Sequence, residues 1–144
     1  MRLFLAVDIS GSMLEGSKAF VTQHLIKAAL FECALGRVDL QPQDVSVVYC
    51  AHSMEQYQPD DSWQMPLPSE TLPGDMLTQG KISGFMKEIS PAPGDLLFFF
   101  SDRQMILPDG VRTVLLGDEE EISGENIPPE NFLAELLLET KSRI

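Results

Sequence analysis

Asp8, Ser10 and Ser12 stand together in LAVDISGSM, residues 5–13, where an apolar run gives way to polar residues. One carboxylate and two hydroxyls on a tight turn can converge on a divalent cation. Mg²⁺ takes oxygen ligands octahedrally and keeps several waters, so a few side chains acting directly or through water suffice. Gly11 is expected to let the backbone bend so that alternate side chains point to a common centre. A second carboxylate, Asp102, ends the strongly apolar LLFFFSD at 96–102. The competing reading of Asp8, Ser10 and Ser12 is a plain turn or helix cap, because Ser and Asp commonly satisfy free N–H groups where helices begin.

The elements around these residues decide between the two. RLFLAV at 2–7 and VSVVYCA at 45–51 are apolar without clean alternation, as in strands covered on both faces. SMEQYQ at 53–58 is short and polar, an edge strand returning antiparallel beside the second. SKAFVTQHLIKAALFECALGR, 17–37, carries apolar residues at three- and four-residue spacing and ends at Gly36, an amphipathic helix with its stop. Residues 59–74 hold Pro59, Pro66, Pro68 and Pro73 and are expected to be loop. A second helix is expected from near Asp75 to Ile89, weakened by Gly80 and Gly84, and a last one in PPENFLAELLLETKSRI, 128–144. Only RQMILPDG separates the LLFFFSD strand from VRTVLLG, so either an irregular segment makes a parallel crossover or Pro108–Asp109–Gly110 turns a hairpin. DEEEISGE at 118–125 is read as a solvated loop.

Strands alternating with helices imply an α/β three-layer sandwich with a mostly parallel sheet, an antiparallel edge strand and helices on both faces. Ligands of such sheets bind beyond the carboxyl ends of the strands, which is where Asp8 and Asp102 fall. The length of 144 residues suits one domain, 1–144, able to bury roughly two thirds of its unfolded surface without a disulfide or structural metal.

A formal charge of −12, from 22 acidic against 10 basic residues with no basic patch, argues against nucleic-acid binding. It suits a cation or a basic partner, or serves solubility alone. Cys33 and Cys50 have no metal-ligand spacing and are read as buried thiols of a reducing compartment. The N-terminus is too short in apolar residues for a signal peptide, and no stretch approaches a membrane span. A cytoplasmic protein with no membrane partner is therefore expected.

Asp8-Ile9-Ser10-Gly11-Ser12 resembles the D-x-S-x-S motif of the von Willebrand factor A (VWA) domain, its metal-ion-dependent adhesion site (MIDAS), and lies likewise between first strand and first helix. Asp102 resembles the later aspartate of that family, usually in T-D-G after a hydrophobic strand. The resemblance covers nearly the whole chain in element order and implies a trimmed, Rossmann-like VWA fold of the short bacterial kind. It implies that Asp8, Ser10, Ser12 and Asp102 hold Mg²⁺ or Mn²⁺, with Thr78 as third hydroxyl, and that a protein partner's Asp or Glu completes the shell. The partner is sought in an intracellular bacterial or phage-borne assembly, where such proteins sometimes accompany MoxR-type AAA+ ATPases. The sequence departs from the family at PGDMLTQG, where Asp75 or Thr71 could replace Thr78. It departs again at SDRQ, where Arg103 either opposes a cation or helps hold an acidic ligand.

Other uses of the same residues fare worse. GSMLEGSKA is similar to a phosphate-binding loop, but Ser17 stands where that motif needs Lys and Ala19 follows Lys18. AVDISGS is similar to the phosphate motif of actin-like ATPases, whose two lobes exceed this length. An aspartyl phosphotransferase using Asp8 would need an acid/base Asp where Ser10 stands. His24 lies mid-helix, and His52 follows the second strand without a nucleophile partner. Trp63 is read either as a partner anchor or as packed on the sheet edge. A non-enzymatic interaction module leads, a metal-free VWA-like structural subunit is the alternative, and a small metal-dependent phosphatase or nucleotide enzyme comes third.

Overall fold

The computed structural model describes residues 1–64, 77–117 and 126–142. Strands β1 (Leu3–Asp8), β2 (Val45–Cys50), β3 (Met54–Tyr57), β4 (Leu96–Ser101), β5 (Val111–Leu115) and β6 (Asn126–Ile127) form a six-stranded sheet in the order β3-β2-β1-β4-β5-β6. β2 and β3 pair antiparallel, and every other neighbouring pair is parallel.

Alternate residues of each central strand point to opposite faces. Leu3, Leu5 and Val7, with Val47, Phe98 and Phe100, pack beneath helices α1 (Lys18–Ala34) and α3 (Phe132–Ser142). Phe4, Ala6, Val48, Leu97 and Phe99 pack beneath α2 (Gln79–Ile89) on the other face. Both faces are therefore dry, which is why β1, β2 and β4 are apolar at every position bar their ends and Ser46. The result is the expected three-layer α/β sandwich. No described helix is long and apolar enough to cross a membrane.

Several boundaries differ from expectation. α2 starts at Gln79, because Thr78 sits in extended backbone and its hydroxyl accepts the Lys81 N–H at 3.2 Å as a helix cap. Leu77 precedes the helix and is fully buried in the core under it, whereas Asp75 and Met76 lie outside the described residues. Gly80 and Gly84 face open space on α2, where no packing is lost.

The step from β4 to β5 is a parallel crossover made by residues 102–110 without a helix. Met105 and Leu107 pack on the α2-side core. The Gln79 side chain clamps Ile106, donating to its carbonyl at 2.7 Å and accepting its N–H at 2.9 Å. Pro108–Gly110 then turns the chain into β5, with Val111 N–H on the Pro108 carbonyl, 3.2 Å, and Gly110 at φ 90°. The two-residue β6 was not anticipated, being too short to show a period. α3 begins at Phe132 after a 3-10 turn at Pro129–Asn131.

Trp63 packs part-buried against the α1-side core, the second of its two expected placements. Cys33 and Cys50 are free and buried. Burial, with Glu32 nearby, pushes the Cys33 thiol up to about 11, and burial, with Asp8 nearby, pushes Cys50 up to about 12. Both thiols are therefore poor nucleophiles at neutral pH.

The register of β1 against β4 is fastened at its start. Asp95 accepts the Arg2 backbone N–H at 2.8 Å, the Arg2 guanidinium at 2.9 Å and the Ala92 N–H at 2.9 Å. Burial pushes the Asp95 carboxyl up, but these donors and the Arg2 charge outweigh it and hold it below its ordinary 3.8. Its stabilising effect is complete above that ordinary value and is lost as pH falls through the lowered one. Asp95→Asn is expected to lose about 1 kcal/mol at pH 7. Urea unfolding at pH 7 and near pH 2 should show that deficit shrinking on acidification.

Candidate functional site

The strand order reverses direction about β1 and β4, so a crevice opens beyond their carboxyl ends, the usual ligand position in such sheets. β1 delivers Asp8 there and β4 delivers Ser101, with Asp102 one residue further. Asp8 is fully buried. Its Oδ1 accepts the Ser10 N–H at 2.8 Å, and its Oδ2 accepts the Ser101 hydroxyl at 2.7 Å. The carboxyl therefore ties the turn after β1 to the end of β4.

Ser10, in extended backbone, leads into a 3-10 turn at Gly11–Leu14, and the Ser10 and Ser12 hydroxyls lie 3.3 Å apart. Gly11 does not supply the expected bend through unusual backbone angles. The glycine with positive φ in this segment is Gly16, at 62°, where the turn feeds into α1. Asp8, Ser10 and Ser12 are thus linked on one turn at the end of β1, and Asp102 follows the end of β4 beside it.

Asp102 is nine-tenths buried. Its Oδ2 accepts the Lys18 ammonium at 3.0 Å, and its buried Oδ1 accepts no hydrogen bond from any described residue. Lys18 also donates to the Ser12 carbonyl at 3.4 Å, bridging the two halves of the cluster. Arg103 comes from the other side: Nη2 donates to the Leu77 carbonyl at 2.6 Å and stands 4.0 Å from Asp8 Oδ2, while Nε is 4.0 Å from Asp102 Oδ1. Two carboxyls therefore face two cationic side chains.

The Thr78 hydroxyl caps α2 by accepting the Lys81 N–H, and Thr78 is exposed. It adjoins Leu77, whose carbonyl carries Arg103, so it lies beside the same crevice. Asp75 and Thr71, the other candidates for that place, lie outside the described residues. His52 is exposed, with Nδ1 3.5 Å from the Lys81 ammonium. His24 is exposed on α1.

Three contributors were not singled out from the sequence. Ser101 holds Asp8, but its inward direction follows only from the register of β4. Gly117 passes so close to Asp102 that an added Cβ would stand 2.7 Å from the Asp102 carbonyl oxygen. Gly117→Ala is expected to cost about 1–3 kcal/mol, read as a lower thermal midpoint, because the backbone around Asp102 must shift. Lys18 did carry a signal: it opens α1, whose first turn has no acidic residue, where the helix dipole disfavours a cation. A carboxylate from elsewhere in the fold offsets that cost.

Oxygen donors of the kind a hard divalent cation takes are present, beside the cationic side chains of Lys18 and Arg103. Two carboxyls and two hydroxyls supply oxygen ligands, and the buried Asp102 Oδ1, which accepts no hydrogen bond from any described residue, stands 4.0 Å from Arg103 Nε, likewise without a hydrogen bond. Among the described residues no group of three His, Cys, Asp or Glu is clustered, so any ion held here would depend on the serine hydroxyls.

No protein-family model matches the chain, and no curated protein matches it in sequence. Among solved structures, the crystal structure of the ArnB paralog VWA2 from Sulfolobus acidocaldarius is similar, with a TM-score of 0.52 and 16% identity over 95% of this chain and 44% of that one. The chain thus spans less than half the length of that protein. At this identity the likeness speaks for fold alone, and the fold is that of a VWA-like α/β sandwich.

Proposed function

We propose that this chain is a protein-interaction module in which Asp8, Ser10, Ser12 and Asp102 hold Mg²⁺ or Mn²⁺ at the strand ends. The observation that carries this reading is the convergence of those four residues on one crevice, with the buried Asp102 Oδ1 lacking any hydrogen bond. The ion would neutralise the carboxyls and offer an open position to an acidic side chain of the partner. Asp8 orients the serine turn through the Ser10 N–H, and Ser101 fixes Asp8. Thr78 would supply a third hydroxyl through its second lone pair, the first accepting the Lys81 N–H as the α2 cap. The partner is a protein of an intracellular, cytoplasmic bacterial or phage-borne assembly, with a MoxR-type AAA+ ATPase as one candidate by family resemblance.

One observation favours a second reading, a metal-free structural subunit: the Lys18 ammonium already neutralises Asp102. Water-proton relaxation with added Mn²⁺ separates the two. Protein-bound Mn²⁺ should enhance relaxation, and acetate, standing for the partner's carboxylate, should reduce it by displacing a bound water. No enhancement at millimolar Mn²⁺ would favour the metal-free subunit.

A further inference from the structure

The Lys18 ammonium touches Asp102 Oδ2 at 3.0 Å and the Ser12 carbonyl at 3.4 Å, so it occupies the space between two of the four residues assigned above to the ion. An ammonium and a divalent cation against the same part-buried carboxylate repel strongly, because little water screens them. The Lys18 side chain is 29% exposed on a flexible stem, and its place at the start of α1 is disfavoured by the helix dipole.

From this geometry we infer that Lys18 is a tethered counter-ion which holds the strand-end site in the absence of metal and which Mg²⁺ must displace. This rests on the metal reading above and deepens it. Displaced from Asp102, the ammonium remains at the rim of the crevice, within reach of an incoming carboxylate. Metal and acidic partner therefore assist one another, since each makes it easier for Lys18 to leave Asp102, and such coupling is reciprocal. Lys18 is thereby a positioning residue for the partner as well as a barrier to the free ion.

The test is a calorimetric Mg²⁺ titration of chelator-treated wild type, Lys18→Met and Lys18→Arg. Met keeps the apolar stem and removes the charge, so Lys18→Met should bind Mg²⁺ roughly two- to fivefold more tightly, the effect of removing a competing part-exposed ion pair. Lys18→Arg, which keeps the charge, should stay near wild type. A readout independent of heat supports it: in chelator the thermal midpoint of Lys18→Met should fall, because Asp102 loses its counter-ion, and Mg²⁺ should raise it by more than it raises wild type. Equal Mg²⁺ affinity in wild type and Lys18→Met would overturn the counter-ion role while leaving the metal site standing. No binding to either protein at millimolar Mg²⁺ would overturn both.

Discussion

Replacing Phe132 with Ala is expected to destabilise the protein by about 3–5 kcal/mol, a large share of the roughly 5–15 kcal/mol that holds a domain together. Phe132 opens α3 and is fully buried. Its ring stands edge-on to Phe98 at 5.0–5.2 Å together with Phe100, both from β4. Truncation loses both aromatic contacts and leaves a cavity beneath a helix otherwise held by Leu136 and by Arg112 reaching Glu135 and Glu139. With a urea dependence of about 1–3 kcal/mol per molar, the midpoint should fall by roughly 2 M. The Phe98–Phe100 row also leads directly to Ser101 and Asp102, so the variant should weaken ion binding as well. A shift below about 0.5 M would mean that α3 docks elsewhere.

Asp8→Ala is the second large effect, because it acts on fold and site together. It leaves the Ser10 N–H and the Ser101 hydroxyl without their buried acceptor, which should cost about 2–4 kcal/mol. Asp8→Asn keeps a carbonyl oxygen for Ser10 and an amide for Ser101, so it should cost less than half as much while removing the carboxylate charge. Thermal unfolding of the two variants side by side checks this ordering. Equal losses would mean that charge alone, and not the hydrogen bonds, makes Asp8 matter. For ion binding Asp8→Asn is the cleaner variant, since it should fold.

What was legible in the sequence follows from what repeats. β1, β2 and β4 lie between two helical layers, and their apolar runs, interrupted only by Ser46 in β2, announced it. α1 buries Leu25, Ile26, Ala29, Leu30 and Cys33 at the expected spacing and stops at Gly36, which has φ 78°, but Phe20, Phe31 and, at its C-cap, Leu35 are exposed, so its apolar residues are not confined to one face. The convergence of Asp8 with Asp102 was legible because both stand at strand ends, and parallel strands place their ends on one edge. The crossover from β4 to β5 was not, because 102–110 replaces a helix with backbone held by a distant side chain, Gln79, and no local pattern encodes that contact. That Thr78 caps α2 was not legible, because the helix was expected to start earlier, near Asp75. The pairing of Lys18 with Asp102 joins residues far apart in the chain. Its only local trace was a cation where a helix dipole would prefer an anion.

The metal reading stands or falls on whether the DISGS turn and Asp102 together hold one divalent cation. Titrating Mn²⁺ by calorimetry into chelator-treated wild type and Asp8→Asn, with thermal unfolding verifying that the variant folds, tests it most directly. Saturable binding of one ion to wild type, abolished in folded Asp8→Asn, is expected. Binding of equal strength in both proteins, or in neither, would contradict the metal reading.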